Sequence, residues 1–207
     1  MTTGQKTMVG SAKIAAVALI VFGVSPPELS SAPAIDGPLR EALSGIDFVA
    51  DKALFERLLG GEAASDLIEI ARDVDGELDP GLRIRAYRAL ALYPQDTAGA
   101  LLDAVDEHAS ALVTSGVEVI YAKAAMSSLA TVSTVAPPAT QALALAQFGS
   151  VLEHPLIDLR AAAARSLGKS GLDGGRPLLE ARLLIEESEL VRDAIRRALG
   201  LLGAAAL

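Results

Sequence analysis

The 207-residue chain has no cysteine and no tryptophan, only two histidines, and aromatic residues at 3%. Without cysteine there are no thiol nucleophiles, no disulfides and no zinc sites that need sulfur. Few aromatics leave few platforms for stacking bases or sugars. Cations are also short, 18 Lys and Arg against 26 Asp and Glu, for a formal charge of −8. That balance disfavours the phosphate backbone of nucleic acid and anionic lipid headgroups as partners. A length near 200 supports one domain, or two, with a real core.

The first 34 residues read as an export signal. Lys6 and Lys13 give a positive start, Ile14 to Val24 is an uncharged run, and Ser25-Pro26-Pro27 breaks any helix that follows. Ala32-Pro33-Ala34 places small residues before a peptidase cut, predicting cleavage after Ala34. Eleven residues rise only about 16 Å as a helix, against a hydrocarbon core of about 30 Å. An uncleaved membrane tether is the competing reading. Residues 35–46 are expected to be a poorly ordered lead-in, 47–203 the folded domain, and 204–207 a tail.

One pattern recurs through that domain. Leu59, Leu90, Leu129, Leu167 and Leu199 are each followed by Gly or Ala, at separations of 31, 39, 38 and 32 residues. Four residues before each stand Phe55, Ala86, Ala125, Ala163 and Ile195; eight before stand Leu82, Tyr121, Leu159 and Val191, with Asp51 the exception. Offsets of 4 and 8 share one helical face. Second helical stretches are predicted at 62–74, 97–113, 139–153 and 176–187. Asp79-Pro80 marks a helix start, and Gly60-Gly61, Gly171 and Gly174-Gly175 mark ends. Nothing alternates like a strand.

The segments Leu159-Arg160 through Leu167-Gly168 and Val191-Arg192 through Leu199-Gly200 resemble the helix signature of short bacterial HEAT repeats. Leu82-Arg83 through Leu90-Ala91 is a third copy, whereas the copies ending at Leu129 and Leu59 have Ala122 and Lys52 in place of the Arg. The resemblance implies an all-α fold: a short right-handed α-solenoid, armadillo-like, of about four to five helix pairs. It also implies that Arg83, Arg160 and Arg192 form a ladder with acids of adjacent repeats, Asp158 and Asp193 being candidate partners. The last copy has no second helix, so its apolar end invites self-association.

The chemistry-bearing motifs are sparse. Gly168-Lys169-Ser170 ends a helix, where a phosphate loop must begin one. Asp73 to Asp79 resembles a calcium loop but has Leu78 and Ile84 where a turn Gly and a bidentate Glu belong; weak calcium binding stays open. His108 with Asp103, Asp106 and Glu107 reads as a solvated helix face rather than a metal set, and Glu186-Glu187 as surface acids. No catalytic residue, cofactor, metal or small-molecule substrate is expected. The second helices, which line the concave side in similar proteins, carry Glu62, Asp66, Glu69, Asp103, Asp106 and Glu107. The leading expectation is therefore a noncatalytic scaffold, periplasmic or extracellular, that binds a basic or polar protein through this acidic face. The alternatives are an accessory to an enzyme such as a HEAT-like lyase, as in bilin attachment, and a membrane-tethered structural element.

Overall fold

Short polar side chains fix where the helices begin. In the computed structural model, which describes residues 35–45, 50–110 and 116–204, Asp36 accepts from the Leu39 amide at 3.2 Å and Asp51 from Leu54 at 2.8 Å. Asp79 accepts from Gly81 at 2.7 Å with Pro80 in the first helical position, and Pro138 opens a later helix in the same way. Helices α1 (Gly37–Ser44), α2 (Lys52–Leu59), α3 (Ala63–Arg72), α4 (Pro80–Ala89) and α5 (Ala98–His108) follow in order. Then come α6 (Gly116–Ser133), α7 (Pro138–Leu152), α8 (Ile157–Ser170), α9 (Gly175–Ile185) and α10 (Glu189–Ala204). Single 3-10 turns extend α2 and α4. The fold is all-α, with no strand among the described residues.

The described residues all belong to the second of two units, Ala32–Leu207. The export signal, its cut after Ala34 and the tether alternative lie outside the described residues. No described helix is long and apolar enough to cross a membrane.

Within the second unit α4, α6, α8 and α10 pack successively side by side, and α3, α5, α7 and α9 pack on them as partners. The predicted second helices match α3, α7 and α9 to within two residues; the stretch 97–113 contains α5, which ends earlier, at His108. Leu90, Leu129 and Leu167 are buried, as are all five side chains four residues earlier. Leu59 and Leu199 are half-buried and pack on the core from its margins. Asp51 breaks the apolar pattern because α2 starts there and needs its carboxylate as a cap.

One boundary differs from expectation. Residues 37–44 form α1 rather than a loose lead-in, because Leu39, Ala42 and Leu43 bury against the core. α1, not α2, is the principal neighbour of α4 on that side, and Arg85 Nη1 donates to the Gly45 carbonyl at 2.6 Å to fasten it. Gly168 and Gly200, which follow the repeat leucines, lie inside α8 and α10. At Gly168 the reason is space: a Cβ would stand 2.6 Å from Ala198 Cα, so α8 and α10 touch through their backbones. The true stop of α8 is Gly171, at φ +66°.

Candidate functional site

Three arginines at one repeat position do the same work. Arg83 donates from Nε to the Ala71 carbonyl at 3.0 Å and from Nη2 to Arg72 at 2.8 Å, sealing the end of α3. Arg160 Nη1 donates to the His154 and Pro155 carbonyls beyond α7. Arg192 Nη1 donates to Leu183 and Glu186 at the end of α9. The last carbonyls of a helix have no partner within it, and a guanidinium supplies several donors at once. In the copy where Ala122 replaces the Arg, His154 substitutes. Its Nδ1 accepts from the Leu156 amide at 3.0 Å, which assigns the proton to Nε2, 3.2 Å from the Ser110 carbonyl just past α5.

The acids expected to pair with these arginines face elsewhere. Asp158 lies 3.9 Å from Lys123, and Asp193 binds Arg196 at 2.8 Å. Glu186 takes the role instead. Its side chain is only 1% exposed and accepts from Arg160 and Arg182, while its own carbonyl accepts from Arg192. Sequence reading placed Glu186 on the surface. The signal that finds it is its distance of six residues ahead of Arg192, at a helix end that the repeat arginine must reach.

His108 is likewise not on a solvated face. It is 2% exposed, with Nε2 2.9 Å from the Tyr87 hydroxyl and Nδ1 2.6 Å from Glu118 Oε2. Tyr121 packs against both rings, and the Arg83 guanidinium sits 4.3 Å from the Tyr121 ring centroid. Burial, with Arg83 opposing and Glu107 adding, pushes the Tyr87 phenol up to about 12. A carboxylate, imidazole and hydroxyl in series resemble a proton relay, but Tyr87 and His108 are enclosed in the core. The arrangement holds α4, α5 and α6 together.

Asp73 also turns inward. At φ +40° its carboxylate accepts from the Glu77 amide at 3.2 Å and the Leu78 amide at 3.0 Å, and Arg83 lies 4.0 Å away. These bonds tie the Asp73 carboxylate into its own turn. Among the described residues no group of three or more His, Asp or Glu is placed to hold a metal.

The remaining candidate is the acidic face of α3 and α5. Glu62, Asp66 and Glu69 stand four and three residues apart along α3 and the turn before it; Asp103, Asp106 and Glu107 share a face of α5. Arg72 binds Asp103 at 3.0 Å and joins the two helices. Desolvation, then the charges of Glu69 and Glu62, raise the Asp66 carboxyl above its ordinary value. Glu69 Oε2 is buried with no hydrogen-bond partner among the described residues. Beside these acids a cleft of about 660 Å³ is lined by Glu56, Glu62 and Asp96 together with Lys52 and Tyr93. Comparison of the chain with protein-family models, curated proteins and solved structures gives no match.

Proposed function

We propose that the protein is a HEAT-like α-solenoid of about four to five helix pairs that works as a noncatalytic, exported scaffold for a basic protein. The successive packing of α4, α6, α8 and α10 supports the stacked arrangement. Both histidines, the side chains best suited to proton transfer near neutral pH, are engaged in holding helices, which favours binding over catalysis. The N-terminal motif of Lys6, Lys13, the apolar run and Ala34 supports export.

The observation that carries the reading is the crowding at Glu62, Asp66 and Glu69. Desolvation, with the charges of Glu69 and Glu62 adding to it, raises the Asp66 carboxyl, and Glu69 keeps a buried oxygen without a donor among the described residues. A lysine or arginine from a partner would offset the charges that crowd Asp66, so the free face favours a cation. Asp103, Asp106 and Glu107 extend the same sign along α5. Reversing those three residues to Lys is expected to weaken capture of a basic partner from the envelope fraction while circular dichroism stays helical. Unchanged capture would place the partner elsewhere. Bound pigment in the purified protein, visible in an absorption spectrum, would favour the lyase-accessory alternative.

A second reading is self-association through the C-terminal end, favoured by Leu184 at 85% and Ile185 at 66% exposure, with Leu190 beside them. Sedimentation velocity on the wild type and on Leu184→Glu distinguishes a dimer from a monomer.

A further inference from the structure

Opposite in sign to the acidic face, a groove of about 490 Å³ crosses α6, α8 and α10. Its rim carries Lys123, Arg165, Lys169 and Arg197, and no carboxylate lines it. Four cations around one groove are unexpected in a chain of net charge −8. Arg165 and Arg197 stand two residues before the repeat leucine, the place held by Arg57 and Arg88 in earlier copies, and all four are exposed.

The cations are only lightly neutralised. Lys123 approaches Asp158 at 3.9 Å, but among the described residues Arg165, Lys169 and Arg197 form no ion pair. Lys169 Nζ is steadied by the Ser127 carbonyl at 2.9 Å and hydroxyl at 3.1 Å, and burial lowers its pKa. An ammonium held this way keeps a donor for an incoming anion. The floor is small and apolar, formed by buried Ala162, Ala194 and Ala198, while Leu201 at the edge is 57% exposed.

We infer that this groove binds an acidic amphipathic helical segment of a partner protein, with carboxylates on the cations and apolar side chains on the alanine floor. Packed helices lie about 8–10 Å apart, so the cations reach over about 16–20 Å from α6 to α10. A lone phosphate cannot bridge that span, whereas about 11–13 helical residues do. The apolar floor suits a helix with one greasy face better than a uniformly charged polymer. The groove belongs to α6, α8 and α10 rather than α3 and α5, so this inference stands whether or not the acidic face binds a partner.

The probe is a fluorescent peptide of about 14 residues with a Leu stripe flanked by Glu, read by anisotropy against the full chain at low salt. Binding should weaken by at least about 10-fold in Arg165→Glu/Arg197→Glu, and should fall with added salt. Reversal of Asp103, Asp106 and Glu107 to Lys should not weaken it. Arg165→Gln/Arg197→Gln, which removes charge without adding any, covers the case in which the first variant unfolds. A decaglutamate peptide should bind less tightly, because it brings nothing for the floor. Unchanged binding in both arginine variants would overturn the inference. So would decaglutamate binding as tightly as the amphipathic peptide, displacement by millimolar inorganic phosphate at constant ionic strength, or equal binding to phosphatidylglycerol vesicles.

Discussion

The Arg160 guanidinium and the Glu186 carboxylate meet at two points, Nε to Oε2 at 2.8 Å and Nη2 to Oε1 at 2.9 Å, with the Glu186 side chain almost wholly buried. Hydrogen bonds from Arg160, then from the Ser188 amide and Arg182, outweigh desolvation and hold the Glu186 carboxyl down to about 2. A carboxyl whose folded pKa is depressed contributes stability that is present above its unfolded value near 4.5 and lost as pH falls through about 2. Urea midpoints of the wild type should therefore drop more steeply over that acid range than those of Glu186→Gln. At pH 7 Glu186→Ala, which takes from Arg160 and Arg182 the buried carboxylate they share but leaves Arg160 its carbonyls and Arg182 its pair with Glu153, should cost about 1.5–3 kcal/mol.

Gly168 and Gly200 occupy the same place in successive repeats but different surroundings. An added Cβ at Gly168 meets Ala198 Cα at 2.6 Å, while nothing lies within 4 Å at Gly200. Gly168→Ala should destabilise by about 1–3 kcal/mol through overpacking. Gly200→Ala should stabilise by about 0.5–1 kcal/mol, the ordinary gain of Ala over Gly in a helix. Thermal or denaturant melts of the two variants check the opposite signs.

Leu167 is fully buried between α8 and its neighbours, and Leu199, its repeat equivalent, is half-buried. Leu167→Ala should cost about 2–5 kcal/mol, and Leu199→Ala clearly less, because its site is already partly open to water. Equal costs in denaturation would contradict the burial pattern.

The difference between those leucines also marks what sequence periodicity could and could not reveal. The 4-and-8 spacing depends only on helix geometry, so the helix pairs from α3 to α10 were legible. Partner choice depends on which chain ends approach one another, so the pairing of Arg160 with Glu186 instead of Asp158 was not. α1 escaped notice for a related reason. Its eight residues are too few to show a period, and Leu39 and Leu43 gain their role from packing on α4 and α2. His108 follows three acids and looked solvated, yet it points inward because Tyr87 and Glu118 offer both its nitrogens partners. Of the candidate site, the acidic face was readable as composition; the unsatisfied Glu69 oxygen and the basic groove needed coordinates.

The Tyr87 hydroxyl sits 2.9 Å from His108 Nε2. Tyr87→Phe leaves that nitrogen buried without a partner and should cost about 1–3 kcal/mol in denaturation. In the native wild type the Tyr87 phenolate signal should not emerge until pH approaches about 12.

A photocrosslinking amino acid at Asp106, irradiated in the intact envelope, interrogates the acidic face where it is proposed to work. The expected result is one dominant adduct with a basic protein, lost when Asp103 and Glu107 are changed to Lys and diminished by added salt. An Asp106 adduct indifferent to those reversals and to salt, or no adduct when the same group at exposed Val74 yields one, would contradict the proposal.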